Sequence, residues 1–368
     1  MMGRLVLSDG TVFLGESFGK EDTTSGEVVF NTGMAGYPES LTDPSYFGQI
    51  LVLTYPLQGN YGVPESKFWE SGKIQVKGLI VQNYIDHPSH FESRKTLGDW
   101  LKEQGIPAIQ GIDTRELTRK LREHGVMLGK IVVSYQPSVV REDIIGIYDP
   151  NKENILPYVS TKKVEVYGEG RKNIVLIDCG AKENIIRSLV KRGVRVTRVP
   201  WDFNPLTSKI DSSLVAQNDR GGGLDFDGVL VSNGPGDPKQ AKDTIKIVKQ
   251  LLEANIPTFG ICLGSQILAL AAGGETYKLK FGHRGQNQPV MDQFNKKAVI
   301  TSQNHGFAVD MKSMDKDWKE WFVNLNDGTN EGIRHKSKPF LAVQFHPEAN
   351  PGPIEGGYLF DEFLKYVK

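Results

Sequence analysis

Gly260-Ile261-Cys262-Leu263-Gly264 sets a cysteine between two glycines, after an apolar run ending at Phe259 and before a stretch with helical spacing. A strand–turn–helix of this form is a nucleophile elbow, in which the glycines let the backbone turn sharply and lift the middle side chain above a sheet. At a helix N-terminus the sulfur meets partial positive charge, which favours thiolate over thiol. The pentapeptide fits a buried thiol beside two ordinary turn glycines equally well. A thiol with the ordinary pKa of about 8.5 is mostly protonated at neutral pH and needs a base. His346-Pro347-Glu348, which follows the apolar run Phe340–Val343, offers one. In extended backbone, side chains two apart leave on the same side, and a carboxylate beside an imidazole fixes its tautomer and steadies its cation. Alone, such a triplet is more often a plain loop; with the elbow, it brings a base and its orienter to the end of another strand. A third turn, Ser232-Asn233-Gly234-Pro235-Gly236-Asp237-Pro238, follows the apolar run Gly228–Val231. Acyl transfer needs donors aimed at a developing oxyanion. The amides of Gly236 and Leu263 are the candidates, the plain alternative being a β-turn that opens the next helix.

The elements that must position these turns alternate. Ile174–Ile177, Val194–Val199, Gly228–Val231 and Pro257–Gly260 read as strands, with helices expected over Lys182–Arg192, Pro238–Ala254 and Leu263–Ala272. Such alternation predicts a doubly wound, mostly parallel sheet, whose active sites lie at the carboxyl ends of its strands. The first 150 residues read instead as a mixed α/β domain. Arg4–Leu7 and Thr11–Gly15 flank a hairpin turn at Ser8-Asp9-Gly10. Asp113 to Glu116 has the spacing of a helix cap, Leu117 and Leu121 form an apolar stripe, and Gly125 ends it. From Gln136 onward the rhythm breaks at prolines and charges. The expected division is therefore 1–150 for the first domain, 151–172 for the connection and 173–368 for the α/β domain.

Composition narrows the class. The chain has 368 residues, 39% of them hydrophobic, and 44 Lys plus Arg balance 44 Asp plus Glu. Zero net charge argues against a nucleic-acid or membrane-surface protein, both of which need a positive field. Two cysteines, Cys179 and Cys262, exclude a disulfide scaffold. No apolar run approaches a membrane span, and the first 20 residues mix acids and bases unlike a leader, so a cytoplasmic address is expected. Cys179 reads as an inert core thiol, His87 and His90 as a solvated loop, and His305 as structural, so no metal site is expected. Lys239, Lys242, Lys246 and Lys249 read as the solvated face of one helix. Neither a phosphate-binding loop nor a dinucleotide fingerprint is present in the sequence.

Taken together, Gly260 to Gln266, Ser232 to Pro238 and His346 to Ala349 resemble the class I (triad) glutamine amidotransferases. Thr301 to Val309 resembles the glutamine-contacting segment of the carbamoyl-phosphate synthetase small subunit. Gly26 to Met34 and Thr42 to Tyr46 resemble the first domain that this subunit has and other amidotransferases lack. Lys280 to Gly285 and Asn287 to Val290 fit as well, so the similarity covers essentially the whole chain.

The resemblance implies a glutaminase. In it Cys262 attacks the side-chain amide of L-glutamine, His346 moves the proton, Glu348 orients His346, and the amides of Gly236 and Leu263 face the oxyanion. It also implies glutamine contacts at Ser45, Gly234, Gly236, Leu263, Gln266, Asn304, Gly306 and Phe307, with Ser45 placing the pocket near the domain interface. No cofactor in this chain is implied. ATP and Mg belong to a separate large subunit that receives the ammonia, the first domain being the partner-contacting one, in a heterodimer that can assemble further. One departure is visible: Ser265 stands where many family members carry His. Gly221-Gly222-Gly223 marks a loop longer than usual and receives no function. An amidotransferase subunit of another synthase, a catalytically inactive regulatory partner and a plain γ-glutamyl hydrolase are the alternatives.

Overall fold

The computed structural model describes residues 1–134, 145–208 and 225–367. The opening of the irregular stretch at Gln136 and the Gly221 to Gly223 loop lie outside the described residues. Two compact units divide the chain, Met1–Lys152 and Glu153–Lys368. Residues 153–172, read from sequence as connection, count with the second unit and give it a short helix and an edge strand.

The first unit contains strands β1 (Met2–Leu7), β2 (Val12–Ser17), β3 (Thr24–Asn31), β4 (Gln49–Leu53), β5 (Leu57–Gln58), β6 (Gly78–Ile80), β7 (Asn83–Tyr84), β8 (Ala108–Gln110) and β9 (Met127–Val133). Seven of them close a barrel in the order β1-β2-β8-β6-β4-β3-β9, and β5 and β7 form a separate pair. Closure is the part a list of short strands did not reveal. It depends on β9 pairing antiparallel with both β1 and β3, which lie far from it along the chain. Helices α1 (Tyr37–Thr42), α2 (Leu97–Glu103) and α3 (Thr114–His124) complete the unit. The capped helix is α3: the Asp113 carboxylate accepts from the Glu116 amide at 2.8 Å, Leu117 and Leu121 are buried, and Gly125 ends it.

The second unit holds α4 (Leu156–Val159), β10 (Glu165–Tyr167), β11 (Asn173–Asp178), α5 (Glu183–Val190), β12 (Arg195–Pro200), β13 (Gly228–Val231), α6 (Lys242–Glu253), β14 (Thr258–Ile261) and α7 (Leu263–Ala271). It continues through β15 (Glu275–Asp292), β16 (Ala298–Asp310), β17 (Trp318–Asn324), β18 (Asn330–His335), β19 (Phe340–Val343) and α8 (Tyr358–Leu364). One ten-stranded sheet results, ordered β10-β12-β11-β13-β14-β19-β18-β17-β15-β16. Its centre, β12-β11-β13-β14-β19, is parallel throughout.

That centre is doubly wound because its strands are apolar on both faces. Val175 and Ile177 face a cluster with Ile247, Val248 and Leu251 of α6 and Ile267 and Leu268 of α7. Ile174 and Leu176 face the opposite cluster, with Ile185, Ile186 and Leu189 of α5 and Leu359, Phe360 and Phe363 of α8. Each such fully buried side chain contributes roughly 1.5–3 kcal/mol of transfer free energy. Taken whole, the sheet is mixed, since β10 and the four strands β15 to β18 join antiparallel. The four lysines of the α6 segment, Lys239, Lys242, Lys246 and Lys249, are exposed as expected. Among the described residues, no helix is long and apolar enough to cross a membrane.

Candidate active site

β13, β14 and β19 are parallel neighbours, so the turns that follow them meet at one edge of the sheet. Cys262 lies between β14 and α7 with φ 54° and ψ −105°, a left-handed conformation in which a residue with a Cβ is strained. The strain is held by packing and hydrogen bonds: the Cys262 amide donates to the Val343 carbonyl at 2.8 Å, and its own carbonyl accepts from the Ser265 amide at 3.0 Å. The flanking glycines are required by space. A Cβ on Gly260 would stand 2.5 Å from the Gly264 carbonyl oxygen, and one on Gly264 would stand 2.1 Å from that of Val231.

From this elbow the buried Cys262 thiol donates to the Asn304 carbonyl at 3.6 Å. His346, three residues beyond the end of β19, is fixed by its amide donating to the Ser302 carbonyl at 2.9 Å. Its Nδ1 lies 2.6 Å from Glu348 Oε1, both side chains being buried. Nε2 has no hydrogen-bond partner among the described residues, and the ring interacts electrostatically with the Cys262 sulfur. Burial alone would push the His346 ring's pKa down. The Glu348 carboxylate, and after it the Cys262 sulfur, outweigh that and raise it to about 10. For Glu348 burial acts upward, but the Lys182 ammonium and then the His346 ring hold the carboxyl down at about 2. The arrangement therefore keeps an ionised acid behind an imidazole that readily carries a proton, against a sulfur at a helix N-terminus.

The third turn abuts the elbow: a Cβ on Gly234 would stand 2.8 Å from Leu263 Cδ2 and 2.1 Å from the Cys179 carbonyl oxygen. Gly236 takes φ 86° in the same loop, and Leu263 opens α7, where a helix's first amides have no carbonyl one turn back. Gln266 is buried on α7, its Nε2 donating to the Phe307 carbonyl at 2.9 Å and to Gln344 Oε1 at 3.0 Å. Asn304, Gly306 and Phe307 lie on β16, the last two partly exposed. The Ser265 hydroxyl, at the departure from the family pattern, is buried with no hydrogen-bond partner among the described residues. Ser45 belongs to the first unit, where it sits in a 3-10 turn, Pro44–Tyr46, with its amide donating to Asp43 Oδ1 at 2.9 Å.

The family described as glutamine amidotransferase class-I matches residues 175–366, and the CPSase domain of the carbamoyl-phosphate synthase small chain matches residues 5–131. The arginine-specific carbamoyl phosphate synthase small chain of Neurospora crassa is 46% identical over 98% of this chain and 79% of its own length. The chain belongs to the carbamoyl-phosphate synthase small-chain family of class I glutamine amidotransferases. The mitochondrial carbamoyl-phosphate synthase (ammonia) of Homo sapiens is 47% identical over 99% of this chain but only 24% of its own length. Multifunctional protein CAD of Squalus acanthias is 49% identical over 100% of this chain and 16% of its own. The chain thus spans about a quarter or less of these longer relatives.

In this small-chain amidotransferase, the residue that sequence reasoning missed is Lys182. Its Nζ is buried 3.2 Å from Glu348 Oε1 and donates to the Ala349 carbonyl at 2.5 Å. Asn184 donates to the Glu348 carbonyl and the Lys182 amide donates to Asn233 Oδ1 at 3.0 Å, so the start of α5 clamps the acid's loop. The only signal in the sequence was a lysine at a helix start, which ordinarily means solvent.

Proposed function

We propose that this chain is the glutaminase subunit of a carbamoyl-phosphate synthase, hydrolysing L-glutamine and passing ammonia to a large subunit that makes carbamoyl phosphate. The observation that carries the reading is the meeting of Cys262, His346 and Glu348 at one sheet edge, with Nδ1 of the ring on the acid and the ring in electrostatic contact with the sulfur.

The chemistry derives from that geometry. The Cys262 sulfur bonds to the side-chain carbonyl carbon of glutamine while His346 takes the thiol proton. The oxygen of the tetrahedral intermediate takes up negative charge opposite the amides of Gly236 and Leu263. His346 gives its proton to the departing nitrogen, the C–N bond breaks, and ammonia leaves a γ-glutamyl thioester. Water then attacks that carbon with His346 as base, and glutamate leaves as the thiol reforms. Glu348 stays ionised throughout and holds the ring. Gly234, Gln266, Asn304, Gly306 and Phe307 hold glutamine. These steps need no cofactor of this chain, and ATP and Mg are assigned to the partner. The expected cytoplasmic address belongs to the same proposal, and cell fractionation tests it.

The experiment is a glutaminase assay of the chain with and without its co-purified partner. Wild type should release glutamate slowly alone and faster in the complex. Cys262→Ser should abolish glutamine-dependent carbamoyl phosphate synthesis while the complex still uses free ammonia. Retained glutaminase turnover in Cys262→Ser would refute the nucleophile assignment.

A further inference from the structure

The antiparallel part of the sheet buries a second cluster of titratable groups that the glutaminase chemistry does not use. His283 of β15 and His305 of β16 are direct cross-strand partners, and Glu331 of β18 lies fully buried beside them. His305 Nδ1 lies 2.9 Å from the Phe307 carbonyl oxygen, so it carries the ring's proton. With Nδ1 the donor, the neutral ring presents a lone pair at Nε2. That lone pair faces Gln303 Oε1 at 3.3 Å and Glu331 Oε1 at 3.7 Å. The Gln303 side chain is oriented by its Nε2 donating to Thr301 Oγ1 at 3.1 Å. His283 has Asp327 Oδ2 2.8 Å from Nε2 and Glu331 Oε1 3.2 Å from Nδ1. Glu331 Oε2 is buried with no hydrogen-bond partner among the described residues. Asn324 Nδ2 donates to Glu331 Oε1 at 3.1 Å and lies 3.5 Å from His283 Nδ1, so an ion entering here takes the place of that amide between the two ligand atoms.

We propose that His283 Nδ1, His305 Nε2 and the Glu331 carboxylate bind a zinc-class divalent metal ion, with the Gln303 side-chain oxygen or water as fourth ligand. The ligand atoms all lie within 4.8 Å of one another. Zinc with bonds of about 2.0–2.1 Å in a tetrahedron needs ligand atoms roughly 3.3 Å apart, so a small contraction closes the site. Each histidine already has its other nitrogen on an oxygen, Asp327 for His283 and the Phe307 carbonyl for His305, which is how metal-bound imidazoles are oriented. Two imidazoles and a carboxylate suit zinc and exclude a preference for magnesium. The ion would clip β15, β16 and β18 together directly behind Asn304 to Phe307. The competing occupant is a proton: although burial acts against it, Glu331 and Asp327 raise the His283 pKa. The site does not rest on the glutaminase reading.

The full chain, stripped with chelator, should take up one equivalent of ZnCl2 in calorimetry against a competing chelator, and no MgCl2. His283→Gln should weaken zinc binding by at least about 100-fold, and Asp327→Asn, on a partly exposed side chain, by about 10–100-fold. X-ray absorption of bound zinc should show two imidazole ligands. Melting without metal checks that each variant folds; if His283→Gln does not, Asp327→Asn decides. No zinc uptake at micromolar concentration, uptake unchanged in a folded variant, or thiolate ligands on the zinc would each overturn the proposal.

Discussion

Replacing Lys182 by Met keeps the buried stem and removes the charge beside Glu348. At 3.2 Å and an effective dielectric of about 20, the Lys182–Glu348 attraction is about 5 kcal/mol before the cost of desolvating both ions. A second route gives a similar size. Glu348 is held from its ordinary 4.5 down to about 2, a linkage of about 3 kcal/mol, and Lys182 is the largest lowering influence. Breaking a buried pair by removing one partner costs about 3–5 kcal/mol. Lys182→Met should therefore lower the melting temperature of the second unit by on the order of 10 °C at pH 7, read by calorimetry. The sign with pH follows from the depressed carboxyl. Its stabilisation is present above about 4.5 and is lost as pH falls toward 2, so the gap between wild type and variant narrows in acid. Adding Glu348→Gln to Lys182→Met removes the stranded charge and should restore most of the loss. A single variant melting within about 2 °C of wild type, or a double variant as unstable as the sum of its parts, would refute the reasoning.

His346→Asn should slow glutamine hydrolysis by at least about 100-fold, the usual size of a proton-transfer effect, checked by glutamate release. Because His346 is raised from 6.5 to about 10, its stabilisation is complete below about 6.5 and is lost as pH rises to 10. Melting over that window should fall in wild type and fall less in His346→Asn. Gly264→Ala forces a Cβ to 2.1 Å from the Val231 carbonyl oxygen and should cost more than about 3 kcal/mol in urea denaturation. Gly72→Ala, with open space around it, should change little.

The parallel centre and the three chemical turns were legible because each is local. Ile174 to Ile177 is apolar on consecutive residues, and Gly260 to Gly264 carries its own steric logic. The strands β15 to β18 were not legible, since Lys280 to Gln288 is polar and glycine-bearing. Its strand identity comes from ladders with shifted register, not from alternation of its own residues. Lys182 was invisible for a related reason. Its burial is created by Ala349 and Glu348, more than 160 residues away, and only the fold brings them together. The same holds for His283, His305 and Glu331, which cross-strand pairing assembles from separate stretches.

The central claim is that Cys262, of two buried cysteines, is the activated one. Treatment with a glutamine-like electrophile such as a diazo-ketone analogue, followed by peptide mass spectrometry, tests it directly. The account predicts one adduct, on Cys262, suppressed by glutamine and absent in Cys262→Ser. Cys179, whose thiol burial pushes well above the ordinary range, should stay unmodified. An adduct on Cys179, or labelling that glutamine does not suppress, would contradict it.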